Sequence, residues 1–316
     1  MLDAVIGCDS GRRRCVFSVE QARKRVVVLL SVVMGSKFHF PPTDGSKGDV
    51  MTHTKGSWRS RSTILKAAAF ATAAGLLATP VLAVHKWSTY HWKRTTTQIS
   101  PPVGDNVNSN WDSYLTTAVN DWNASTRIQS TKVAGTTTPS TCAPKAGRIE
   151  VCNYAYGNTG WLGIASVWLS ADGHISQATT KLNDSYYGAG SSYNTPAWRA
   201  AVTCQEVGHD YGLAHQDEDF STDATNSCME YTNVPAGNEH PDQHDYDQIA
   251  SIYSHVHAAS NLPGAGFNSL EPNAAPLGNT RESWGNQVGH HRFERDLGQG
   301  RKVITDVLFV DHAKGH

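Results

Sequence analysis

The sequence predicts an α+β domain: a twisted mixed sheet with mainly antiparallel edges, one long helix packed on it, and a second helix bearing polar side chains. Three observations predict it. Short runs rich in β-branched and aromatic residues lie between turn signals. Residues 111–122 repeat their apolar side chains at helical spacing. Thr195-Pro196 opens a second helix that runs into the string QEVGHDYGLAH.

Bulk properties set the frame. The 316-residue chain is 39% hydrophobic and 17% charged, with a net charge of -1. That is room for one substantial domain with extras. A balance so near neutral gives no electrostatic footprint for nucleic acid or an anionic surface.

The elements follow in order. Residues 51–83 have the three parts of a secretory signal peptide: the basic residues Lys55, Arg59, Arg61 and Lys66, an Ala-rich apolar run, and Val81-Leu82-Ala83 at the cleavage position. The run contains Gly75 and Pro80 and makes a poor membrane span. A leader does not normally follow other sequence, so translation is expected to start at Met51, with residues 1–50 outside the expressed protein. A secreted, extracellular protein without stable membrane insertion is the expectation. Its mature part would keep Cys142, Cys152, Cys204 and Cys228, an even number that suggests two disulfides. Three pairings are possible; Cys142 with Cys152 closes a short loop and is favoured.

Residues 87–99 alternate and read as a strand. After a turn, Trp111, Tyr114, Leu115, Ala118, Val119 and Trp122 form one helical face, with Asn108 or Ser109 as cap. Residues 128–133 and 149–156 are further strands. Residues 161–169 and 175–182 flank an Ala-Asp-Gly turn and suggest a hairpin. Pro241 starts another helix with Asp242, Asp245 and Asp247 in its first turns. Residues 261–280 read as a linker that closes a main domain over 84–260, and residues 281–316 as a small C-terminal hairpin region around Leu-Gly-Gln-Gly.

The helix opened by Thr195 carries the chemistry. Gln205 and His209 are four apart and share a face, with Glu206 beside them. In zinc hydrolases that geometry supplies two metal ligands and a carboxylate over the bound water. Gly212 can turn left-handed and swing the chain back, so that His215 approaches the same metal.

The string QEVGHDYGLAH is similar to the zinc-binding motif H-E-x-x-H-x-x-G-x-x-H of the metzincin metallopeptidases at every fixed position but the first. Downstream, Ser-Cys-Met-Glu-Tyr at 227–231 resembles their methionine turn. The resemblance covers residues 87–257 and is nearest the matrixin-like branch. It implies a zincin fold and a protease acting on protein or peptide substrates as a monomer. One catalytic zinc would be held by His209 and His215, with Gln205 in place of the first histidine. It implies Glu206 as general base on the zinc-bound water, Met229 as an apolar floor, and Tyr231 as oxyanion stabiliser. It also implies that residues 175–182 bind substrate as an edge strand, and that Cys204 pairs with Cys228, fixing the turn under the zinc helix.

The substitution at Gln205 leaves three readings open. Its amide oxygen is a third ligand, Asp217 or a second water replaces it, or the protein is an inactive, zinc-binding or protein-binding relative. The helix already aims Gln205 at the metal, which favours the first. Asp217, Glu218, Asp219 and Asp223 could bind calcium, but they lack an EF-hand pattern and read as a solvated loop. His240 and His244 read as surface residues, and His290, His291, His312 and His316 show no metal spacing.

Overall fold

The computed structural model describes the backbone of residues 4–9, 14–21 and 24–28, and the whole of residues 90–219, 225–257 and 272–311. The signal-peptide segment 51–83, Asp223 and residues 261–271 of the linker lie outside the described residues. The chain divides into two units, Met1–Gly75 and Leu76–His316. In the first, β1 (Ala4–Asp9), β2 (Arg14–Gln21) and β3 (Lys24–Val28) form an antiparallel sheet in chain order.

The second unit holds the chemistry. Its elements are β4 (His91–Trp92), β5 (Val103–Asn106), α1 (Asp112–Asn123), β6 (Lys132–Ala134), β7 (Ile149–Tyr154), β8 (Trp161–Leu169), β9 (His174–Asn183), α2 (Pro196–Asp210), α3 (Gln243–Ile252), a short α4 (Arg281–Trp284), β10 (Asn286–Gln287), β11 (Arg292–Gly298) and β12 (Arg301–Phe309). They build one mixed sheet in the order β10-β11-β12-β8-β9-β7-β5-β6, with β4 paired to β9. Pairing is parallel from β6 through β5 and β7 to β9. It becomes antiparallel from β9 through β8 and β12 to β11 and β10. Connection length explains the change: a tight turn at Asp172-Gly173, with Gly173 at φ 82°, allows only an antiparallel neighbour, whereas α1 provides the crossover that parallel β5 and β6 require.

Both main helices bury the faces their periodicity marks. Leu115, Ala118, Val119 and Trp122 of α1 are buried, and the Trp122 indole donates to the Cys204 carbonyl of α2 at 3.0 Å. Thr195 caps α2 by accepting from the Trp198 N–H, with Pro196 in the first turn. Cys142 and Cys152 lie at disulfide distance, as do Cys204 and Cys228, each pair with Cα atoms 5.9 Å apart.

Several expectations need correction. Only His91–Trp92 of the segment 87–99 is strand among the described residues, because the Arg94 guanidinium gathers the carbonyls of Thr96 and Thr97 into a turn. The strand expected at 128–133 is the shorter β6, and Ile128 makes only an isolated bridge to Ile99. Neither Asn108 nor Ser109 caps α1: its N-cap is Trp111, without a side-chain bond, while the Asn108 side chain accepts from Asn110 N–H. Pro241 precedes α3, whose cap is Asp242 in a reciprocal capping box with Asp245.

The largest correction concerns the edge. β9, expected to receive substrate, lies between β8 and β7 and has no free side. The outer side of β8 is covered in turn by the C-terminal hairpin. β12 pairs with it over eight residues, from Lys302 opposite Leu169 to Phe309 opposite Trp161. The hairpin is therefore an integral part of the sheet.

Candidate metal centre

Helix α2 runs behind β8 and β9 and presents Gln205, Glu206 and His209 inward, all of them buried. Gly212 then takes φ 94°, and a Cβ there would meet the Tyr90 carbonyl oxygen at 2.7 Å. Only glycine suits that turn. It brings His215 back onto His209, with Nε2 of one ring 2.9 Å from Nε2 of the other.

The outer nitrogens decide what this contact means. His209 Nδ1 faces the Leu213 carbonyl at 2.8 Å, and His215 Nδ1 faces the Glu218 carboxylate at 3.3 Å. Both partners only accept, so each Nδ1 carries the proton and donates it. Burial pushes His209 down to about 3, which keeps it neutral. Two imidazole Nε2 atoms thus converge, an arrangement that suits a shared cation.

Gln205 fits the same reading. Its Nε2 donates to the Glu230 carbonyl at 3.1 Å. The other amide atom, Oε1, is buried and has no hydrogen-bond partner. A buried acceptor left so is costly, and a cation beside it would satisfy it. Among the described residues Asp217 is not gathered with the two histidines; its carboxylate accepts from the Asp219 N–H at 3.0 Å.

Glu206 lies across the backbone of β8, where a Cβ on Gly163 would meet its Oε1 at 2.5 Å. Burial, then the carboxyls of Asp306 and Asp210, push its carboxyl well above the usual range. A neighbouring cation would reverse that balance and favour the ionised carboxylate.

The methionine turn is anchored from three sides. The Met229 N–H donates to Ser227 Oγ at 2.9 Å, and Ser227 Oγ donates to the Asp245 carboxylate at 2.6 Å. The Gln216 N–H donates to the Met229 carbonyl at 2.6 Å. Met229 sulfur packs against Gly208 of α2, where a Cβ would lie 2.6 Å from it.

Tyr231 packs edge-on against His215, with ring centroids 4.4 Å apart. Its hydroxyl is given to the Val307 carbonyl of β12 at 2.6 Å. His291, at the start of the hairpin, lies against Tyr231 with ring centroids 3.8 Å apart, and 6.1 Å from His215. Sequence reasoning missed His291 because it has no metal-ligand spacing; only the pairing of β12 with β8 brings it here.

No family model matches the chain, and no curated protein matches it. A hatching enzyme is among its structural neighbours. High choriolytic enzyme 1, a hatching enzyme zinc-protease from Oryzias latipes (medaka fish), is similar at 15% identity and a TM-score of 0.29, over 52% of this chain and 94% of that one. A likeness of that size carries no argument about this chain.

Proposed function

We propose that the chain is a secreted zinc-dependent endopeptidase of metzincin-like fold. The observation that carries the reading is the donor set itself: two imidazoles with converging Nε2 atoms and a buried amide oxygen without a donor, one residue from a buried carboxyl. Gln205, His209 and His215 would hold the metal. Zinc bound there supplies a Lewis acid for a peptide carbonyl and lowers the pKa of water to about 7. Glu206 takes a proton from water on its carboxylate and passes it to the leaving amine nitrogen. The Tyr231 hydroxyl stabilises the oxyanion once it is freed from Val307. A peptide would pair with the outer edge of β8 as an added strand, in place of β12. Two cysteine pairs at disulfide distance accord with an extracellular setting, and among the described residues no helix is long and apolar enough to cross a membrane.

Two observations favour a second reading, a zinc-binding or protein-binding relative without catalysis: β12 fills the β8 edge, and His209, His215 and Glu206 are all buried. A peptide-cleavage assay on zinc-loaded protein separates the two. The endopeptidase cleaves, and Glu206→Gln abolishes cleavage while keeping the zinc. Activity that survives Glu206→Gln would sink the mechanism, and inactivity of folded, zinc-loaded protein would favour the second reading.

A further inference from the structure

A second group of histidines lies where three distant stretches of chain meet. β4 pairs with β9 in parallel, and the register sets His91 beside His174. After α3 the chain returns to the same place, where the His257 N–H donates to the Arg94 carbonyl at 2.8 Å. His255 and His257 thereby come against His91. Ring centroids are 4.8 Å apart for His91 and His255, 5.3 Å for His91 and His257, and 4.7 Å for His255 and His257. One ring nitrogen from each of these three lies within 4.8 Å of the others. His174 adds a fourth imidazole, its Nε2 2.8 Å from His257 Nε2.

The surroundings prepare these rings as ligands. His174 Nδ1 faces the Asp172 carboxylate at 3.1 Å. The Asp172 carboxylate also accepts from Ser170 Oγ at 2.6 Å. With the Asp172 carboxylate beside its Nδ1, His174 turns Nε2 toward His257. This is the carboxylate–histidine support common around metal ligands. Two cations stand beside the group: Lys93, paired to Asp172 at 3.0 Å, and Arg94, whose Nε donates to the His255 carbonyl at 3.1 Å.

We infer that His91, His255 and His257, with His174 beside them, form a second metal site for a zinc-class divalent cation. An all-imidazole donor set selects zinc, copper or nickel over calcium or magnesium. The site shares no residue with the α2 centre and does not depend on peptidase activity. Its role is that of a clip joining β4, the start of β9 and the segment after α3. The neighbourhood gives the clip a purpose. Trp92, next to His91, donates its indole N–H to the Asp210 carbonyl at the end of α2 at 2.8 Å. The Tyr253 hydroxyl donates to the Tyr211 carbonyl at 2.9 Å and accepts from the Trp92 N–H at 3.1 Å. Holding these segments together fixes the turn that delivers His215.

Zinc content of the full chain, measured by equilibrium dialysis and elemental analysis, tests the site. Wild type is expected to hold about two zinc ions per chain. His255→Asn, at an exposed position, and His257→Asn should each lose about one and shrink the rise in Tm on adding zinc. His215→Asn should lose the other ion and leave the clip loaded. If both clip variants keep the wild-type zinc content, or if His215→Asn removes all bound zinc, the second site is overturned. Failure of the α2 centre alone would show differently: His215→Asn would change nothing, while the clip variants would remove the zinc.

Discussion

The hydroxyl of Tyr231 is tied to the carbonyl of Val307, 76 residues further along the chain, at 2.6 Å. The residue expected to steady an oxyanion is thus held by the strand that fills the edge where a substrate would pair. Both constraints come from β12. An endopeptidase built this way works only when the hairpin yields.

Loosening the hairpin should therefore raise activity. Thr305 sits in the middle of β12, opposite Ser166 on one side and Phe293 on the other, and its hydroxyl hydrogen-bonds with Ser166 at 3.0 Å. Proline there removes a ladder N–H and disrupts pairing in an inner strand. Thr305→Pro is expected to speed cleavage of a short peptide severalfold, with helix content unchanged by circular dichroism. A slower variant with intact helices would show that the hairpin supports the site instead of blocking it.

Gln205 makes a metal-affinity prediction. The amide oxygen is a neutral donor, weaker toward zinc than imidazole. Gln205→His should tighten zinc, and Gln205→Ala should weaken it about tenfold or more, the usual scale for losing such support. Competition with a chromophoric chelator measures both. Unchanged affinity in Gln205→Ala would mean that water or another residue completes the site.

What could be read in advance was local. The β8–β9 hairpin announces itself through Asp172-Gly173, and α2 through Thr195-Pro196, because turn and cap signals act over a few residues. The same helical spacing is what places Gln205 and His209 on one face. Non-local pairings left no such mark. β12 has the alternation of any half-buried strand, and nothing in it names β8 as its neighbour. The edge was assigned to β9 for the same reason. His291 meets Tyr231, and His91 meets His257, only because separate pairings converge. A lone histidine in sequence carries no trace of that. The strand expected at 87–99 fails on a single residue, Arg94, whose side chain bonds its own chain's carbonyls.

Asp245 links the methionine turn to pH. Its carboxylate accepts from Ser227, Gln216 and the Asp242 N–H, and Ser227 in turn holds the Met229 N–H. Burial still pushes its carboxyl up to about 6, against those hydrogen bonds. A raised pKa means that the folded chain binds this proton more tightly than the unfolded chain does. The contribution to stability is then full below the ordinary carboxyl range, near 4, and is lost as pH rises through about 6. Asp245→Asn removes the titrating group. The difference in Tm between wild type and Asp245→Asn should shift in favour of wild type as pH falls from about 7 to about 4. Since the titrating group anchors Met229 beneath α2, the zinc dissociation rate of wild type should follow the same pH window more steeply than that of the variant. A Tm difference that stays constant across that window would mean that Asp245 titrates alike in the folded and unfolded chains, and that its burial is relieved by water.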